Sequence, residues 1–134
     1  MAKVLIVDDQ PAVRTALETL FDVHGLPALA AGTVSEALDL IAREDIGAVV
    51  QDMNFTQNQT SGEEGVKLFR AIRALDPEMP VLMMTAWASL ETAVALMKEG
   101  AADYMAKPWN DDKLVATVRN LVNLRAFKQE TVRL

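Results

Sequence analysis

The stretch Val4-Leu5-Ile6-Val7-Asp8-Asp9-Gln10-Pro11 decides the fold of this chain. A short apolar run ends in two adjacent carboxylates, and a proline follows at a position tolerated in the first turn of a helix. The pattern reads as strand, turn, helix. It recurs along the chain. Ile46-Gly47-Ala48-Val49-Val50 leads through Gln51 to Asp52, Val81-Leu82-Met83-Met84 leads to Thr85, and Tyr104-Met105-Ala106 leads to Lys107. Short apolar runs alternating with helix-period segments predict βαβ units and a parallel sheet. If these runs are strands of one sheet, their polar ends meet at the edge where open α/β sheets build their sites.

The elements follow outward from these runs. Strands are predicted over about 3–7, 27–30, 46–51, 81–84 and 103–106, the second weakly. The first helix starts near Pro11, turns Val13, Leu17, Leu20 and Phe21 inward, and stops at Gly25. Thr33 with Glu36, and Ser61 with Glu64, read as capping boxes that open the second and third helices. The third helix buries Leu68, Phe69 and Ile72, and residues 76–80 form a turn. Leu90, Val94 and Met97 mark a fourth helix ended by Gly100. Asn110 caps a fifth, with Leu114, Val118, Leu121 and Val122 inward. The expected fold is a doubly wound five-stranded parallel sheet flanked by five helices. The last helix has no stop signal, and Leu124, Phe127, Thr131 and Leu134 repeat at 3,4,3 spacing. Residues 124–134 are read either as a frayed tail or as a helix continuing into a linker or a homodimer contact.

A chain of 134 residues suffices for one domain with one sizeable core, and 51% apolar residues exclude disorder. With no cysteine, thiolate metal sites, disulfides and thiol catalysis are excluded, which suits a reducing cytoplasm. A net charge of -6 argues against direct nucleic-acid binding, which needs clustered Lys and Arg. Charged residues break every apolar stretch well before the ~20 residues of a membrane span.

Taken singly, the polar strand ends have ordinary explanations. Asp8 or Asp9 can cap a helix, Asp52 can be a loop aspartate, Thr85 a strand-end threonine and Lys107 a surface lysine. Taken together they make a site. Adjacent carboxylates repel unless a hard cation screens them, and Mg²⁺ prefers carboxylates with waters and phosphate oxygens. A carboxylate such as Asp52 can attack phosphorus and form an acyl phosphate. A hydroxyl and an ammonium, Thr85 and Lys107, suit phosphoryl oxygens. His24, the only histidine, lies at a helix end and is assigned no catalytic role.

The order Asp-Asp, Asp, Thr-Ala, Lys-Pro at the ends of successive strands resembles the receiver domain of two-component response regulators, over roughly residues 3–123. The resemblance implies a flavodoxin-like sheet of order 2-1-3-4-5, with residues 1–123 as the receiver. It implies Asp52 as the phosphoacceptor, supplied from a phosphohistidine on a sensor histidine kinase. Asp9, Asp52 and the backbone carbonyl of Asn54 would ligate Mg²⁺, with Asp8 acting mainly through water. Thr85 and Lys107 would contact the phosphoryl oxygens, and Tyr104 would be the aromatic that turns inward as Thr85 moves. Such a domain catalyses only its own phosphorylation and dephosphorylation. The stretches Thr85-Ala86-Trp87-Ala88-Ser89, Gly100-Ala101-Ala102-Asp103-Tyr104 and Lys107-Pro108-Trp109 look like the nitrogen-regulatory, sigma-54 activator class. Members of that class typically carry an ATPase module and a DNA-binding module after the receiver.

One departure stands out. Where many receivers have Asp-x-x-Met-Pro, this chain reads Asp52-Met53-Asn54-Phe55-Thr56, and the segment before the third helix is about five residues longer if Gly65 is the equivalent glycine. The loop 54–61 is either a tolerated insertion or a shaper of kinase recognition. Its two glycosylation sequons, at Asn54 and Asn58, are read as chance.

Three other functions fit the pattern less well. A dehalogenase-like phosphatase needs Asp-x-Asp on the first strand, whereas here the aspartates are adjacent. A flavin binder needs a hydroxyl- and Gly-rich loop where this chain has Asp8-Asp9-Gln10-Pro11. A phosphorylation-independent docking module has no need of the complete acidic set.

Trp87, two residues after Thr85, lies near the expected entry of a hydrolytic water. Trp87→Ala is expected to shorten the lifetime of the acyl phosphate, followed by intact mass over time. An unchanged lifetime refutes this role.

Overall fold

The computed structural model describes residues 2–53, 63–85 and 90–133. Asn54 with the loop 54–61, the Ser61 end of the second capping box, Trp87 and Leu134 lie outside them. The elements run β1 (Lys3–Val7), α1 (Pro11–Val23), β2 (Ala28–Ala31), α2 (Val34–Arg43), β3 (Ile46–Asp52), α3 (Glu63–Leu75), β4 (Val81–Thr85), α4 (Leu90–Lys98), β5 (Asp103–Ala106) and α5 (Asp111–Arg133). All strand pairs are parallel, in the order β2-β1-β3-β4-β5. The expected doubly wound sheet is the fold that forms.

Successive residues of a strand point to opposite faces, and the core divides accordingly. Leu5, Val7, Val49, Val81 and Met83 pack with Ala37 of α2, Leu68, Phe69 and Ile72 of α3, and Ala93 and Leu96 of α4. Val4, Ile6, Val50, Leu82, Met84 and Met105 pack with Leu17 and Phe21 of α1 and Leu114, Val115 and Val118 of α5. Because both faces are covered, the strands tolerate polar residues only near their ends. Each fully buried Leu or Phe in these layers contributes about 1.5–3 kcal/mol by leaving water.

Helix ends follow local chemistry. Thr33 Oγ1 accepts the Glu36 N–H, and Glu36 Oε1 accepts from Gly32 N rather than from the capping threonine itself. Asn110 Oδ1 accepts the Lys113 N–H and starts α5. Gly25 and Gly100 take φ of 74° and 107°, which end α1 and α4 in the left-handed region open to glycine.

Several boundaries differ from expectation by one residue. β2 begins at Ala28 because Pro27 has no N–H for the ladder and offers only its carbonyl, to Val4 N. β3 and β4 each run one residue further, to Asp52 and Thr85. The Met53 N–H donates to Met84 O, and the Lys107 N–H to Thr85 O, so pairing extends to the strand tips. In α4 the buried positions are Ala93 and Leu96, while Val94 is 43% exposed. The small Ala93 faces the sheet, so the helix turns Val94 outward.

At the N-terminal end of the sheet a polar pin joins distant segments. Arg125 of α5 donates through Nε to Ile46 O at 3.1 Å and through Nη2 to Asp76 Oδ2 at 2.6 Å. Burial pushes the Asp76 carboxyl up. The hydrogen bonds from Arg125 and the Glu78 N–H, with the charges of Arg125 and Arg73, outweigh that and hold it below the ordinary carboxylate value. A carboxylate depressed in the folded state adds stability above its unfolded pKa of about 3.9 and loses it as pH falls through the lower folded value. Arg125→Met is expected to destabilise the domain by about 1–3 kcal/mol at neutral pH, since it strands a carbonyl and a carboxylate. In urea unfolding across a pH series, the gap to wild type should narrow below about pH 4. A gap independent of pH would refute the Asp76 linkage.

Candidate functional site

The C-terminal edge of the sheet gathers the polar strand ends. Asp8 and Asp9 follow β1, Asp52 and Thr85 are the last residues of β3 and β4, and Lys107 directly follows β5. Asp8 and Asp52 are each 3% exposed and Thr85 is 1% exposed, so water reaches little of this polar set. Among the described residues, Asp8, Asp9 and Asp52 form an acidic cluster in which one carboxylate oxygen from each lies within 4.8 Å of the others. Lys107 Nζ donates to Asp52 Oδ1 at 2.8 Å and stands 3.8 Å from Asp8 Oδ2. The Lys107–Pro108 peptide is cis.

Local bonds hold the carboxylates in place. The Asp8 N–H donates to Ala31 O, which ties the β1 tip to β2. Asp8 Oδ1 accepts the Gln10 N–H at 2.9 Å. The aspartate thereby supports the turn into α1, whose N-cap is Gln10 without a side-chain cap of its own. Arg14 Nη1 donates to the Asp8 carbonyl at 2.7 Å. Met53, directly after Asp52, is fixed by its N–H to Met84 O.

The electrostatics are those of a crowded site. Burial raises the Asp8 carboxyl above its ordinary range. The Gln10 N–H pulls the other way, Asp52 pushes up, Lys107 pulls down, Asp9 pushes up, and the net direction is upward. Asp9 Oδ1 is buried and accepts no hydrogen bond among the described residues. Among the described residues, three carboxyl groups stand beside one ammonium, an excess of acidic over basic groups. A buried, unpaired carboxylate oxygen beside that excess fits a hard divalent cation with oxygen ligands.

The structure therefore brings Asp8, Asp9, Asp52, Thr85 and Lys107 to one place, while Asn54 falls outside the described residues. Tyr104 lies back along β5, half-buried and packed against the core layer beneath α3 and α4, opposite Met83. His24 sits at the end of α1, its Nδ1 2.9 Å from Leu20 O, and takes no part. Two neighbours of the site carry little signal in the sequence. Arg14 holds the Asp8 carbonyl, and its only sequence signal is its place one turn into α1. Gln51 is 0% exposed one residue before Asp52, and its signal is a polar residue interrupting an apolar strand.

Comparison with known proteins agrees with this geometry. The family model described as the response regulator receiver domain matches residues 4–119. The response regulator protein FleR of Pseudomonas aeruginosa is 38% identical over 117 residues, covering 87% of this chain and 24% of that protein. A putative NtrX-like response regulator of Rickettsia bellii is 32% identical over 129 residues, covering 96% of this chain and 26% of that protein, in line with the nitrogen-regulatory resemblance. The chain thus spans about a quarter of the length of the curated relatives it matches. Among solved structures, the N-terminal signal receiver domain of a two-component response regulator from Bacteroides fragilis superposes with a TM-score of 0.80 at 32% identity, covering 91% of this chain and 97% of that one. With the fold, the acidic edge and the family match in agreement, this chain belongs to the response regulator receiver domain family of two-component systems.

Proposed function

We propose that the domain accepts a phosphoryl group on Asp52 from a phosphohistidine of a sensor histidine kinase, and that the modified domain switches conformation to control a transcriptional output. The observation that carries this reading is the cluster of buried Asp8 and Asp52 with half-buried Asp9, and Lys107 Nζ 2.8 Å from Asp52. Asp9 and Asp52, with the Asn54 carbonyl, would hold Mg²⁺, and Asp8 would act mainly through water. When bound, the metal offsets negative charge on the carboxylates and on the incoming phosphoryl group.

The residues divide the work. Asp52 is held by β3 and faces the donor phosphorus. A carboxylate oxygen forms the new O–P bond as the P–N bond to the donor imidazole breaks, and the electron pair leaves on the imidazole nitrogen. Lys107 supplies positive charge next to the reacting carboxylate and then to a phosphoryl oxygen. Thr85 donates its hydroxyl to another. As Thr85 is drawn toward the phosphoryl group, Tyr104 turns inward and the face of α4, β5 and α5 repacks. Moving such an equilibrium from 1:99 to 99:1 requires about 5.5 kcal/mol of differential stabilisation. A few charge-assisted hydrogen bonds supply much of that, and a partial shift serves equally well.

Residues 1–123 are the receiver, and 124–134 extend its last helix toward a linker or a homodimer contact. The continuation of α5 through Arg133, with Leu124 and Phe127 51% and 68% exposed, supports that division. ATPase and DNA-binding modules following the receiver would fit relatives about four times as long. The domain itself acts on no substrate but its own phosphoaspartate and binds no nucleic acid directly. A cytoplasmic site of action suits a cysteine-free chain in which no described helix is long and apolar enough to cross a membrane.

Intact mass after incubation with Mg²⁺ and a small-molecule phosphodonor tests the reading. One added phosphoryl group is expected in wild type, and none in Asp52→Asn or without Mg²⁺. An adduct of equal yield in Asp52→Asn would overturn the assignment. Lys107→Met should retain Asp52 but lose the facing charge, so its phosphorylation rate should fall by about 100-fold. A rate within threefold of wild type would remove Lys107 from the mechanism.

A further inference from the structure

Gln51 lies between Val7 of β1 and Met83 of β4 in the middle of the sheet, and it is 0% exposed. Positions covered on both faces ordinarily carry apolar side chains. Here Gln51 Nε2 donates to Gly65 O at 2.9 Å and lies 3.4 Å from Met53 Sδ. Its Oε1 is buried and accepts no hydrogen bond among the described residues. One hydrogen bond to a carbonyl and a weak one to a thioether do not offset the burial of a whole amide, so Gln51 burdens stability where Met or Leu would not. What it holds has to account for its presence.

It holds the first turn of α3. A Cβ at Gly65 would lie 2.7 Å from both Met53 Cα and Met53 O, so the helix backbone rests directly on the residue that follows Asp52. On its other side Met53 is bound to β4 through its N–H and Met84 O. The tip of β3 is thus clamped between β4 and α3, and the Gln51 amide is the polar fastening on the α3 side. We infer that Gln51 is a positioning residue for the Asp52 site. By locking Gly65 onto Met53 it sets where the Asp52 carboxylate stands relative to Asp8, Asp9 and Lys107. The inference rests on the reading of Asp52 as a metal-binding phosphoacceptor given above.

Gln51→Met keeps the length and bulk of the side chain and removes the amide. Its thermal midpoint should match or exceed that of wild type. Its amides at Lys67, Leu68 and Phe69 should nevertheless exchange faster with solvent deuterium. Its Mg²⁺ affinity, titrated calorimetrically, should fall about tenfold, as when the support of a metal ligand is removed. Gly65→Ala attacks the same contact from the helix side. If the two residues act as one fastening, the double variant should bind Mg²⁺ no more weakly than the worse single variant. Unchanged exchange and unchanged Mg²⁺ affinity in Gln51→Met would overturn the inference. So would a lowered midpoint with exchange faster throughout the domain, which marks a plain packing role. Should wild type take up no phosphoryl group, the phosphoacceptor reading fails, while exchange at α3 and the Mg²⁺ titration still decide the role of Gln51.

Discussion

Three carboxyl groups, two of them buried, share the C-terminal edge of the sheet with one ammonium, and the rest of the molecule is arranged around that conflict. Asp8, Asp9 and Asp52 repel one another at close range. Burial removes the water that would screen them and drives the Asp8 carboxyl upward. Lys107 relieves part of the repulsion through its 2.8 Å bond to Asp52. Asp9 Oδ1, which has no hydrogen-bond partner among the described residues, marks what remains. A site richer in acidic than in basic groups favours whatever brings positive charge to it, which is the property the proposed metal-assisted phosphoryl transfer would use.

A parallel sheet covered on both faces is suited to hold such an arrangement. Its interior excludes polar groups, so they collect at the strand tips. There the ladder still fixes the backbone, through Met53 N to Met84 O and Lys107 N to Thr85 O. Asp52 therefore sits on a strand end, and Asp8 and Asp9 within two residues of one. Their mutual distances are set by strand spacing, with side-chain rotation as the remaining freedom. Gln51 extends the same support one layer down, to the first turn of α3.

The opposite end of the sheet serves stability. Arg125 reaches from α5 to Ile46 O and Asp76, and joins the start of β3 and the turn between α3 and β4 to the last helix. This ion pair is satisfied where the acidic cluster is not: Asp76 is held below its ordinary range, whereas Asp8 is pushed above its own. The same kind of group thus serves structure at one edge and is kept under electrostatic stress at the other. The helix that carries Arg125 runs from Asp111 to Arg133, so the pin also fixes the second half of that helix to the sheet.

Much of this was legible in the residues alone. The apolar runs, the capping pair Thr33 and Glu36, the stop at Gly25 and the polar strand ends are local signals, each produced by a few neighbouring residues acting through backbone geometry. They specified the α/β class, nearly every element to within a residue, and the five polar residues that gather at the sheet edge. The rest depends on contacts between segments far apart in sequence. That Val94 faces out and Ala93 in depends on how closely α4 approaches the sheet. That Arg14 holds the Asp8 carbonyl, and that Arg125 joins Ile46 to Asp76, depends on which helix packs over which strand. Gln51 is the clearest case. In sequence it is a polar break in a strand, and only the approach of Gly65 to within contact of Met53 gives its amide a partner. Sequence determined which groups would stand at the edge, because local patterning ends each strand there. Tertiary packing decided how those groups are charged, paired and held, because burial and cross-strand distance exist only once the sheet has closed its layers.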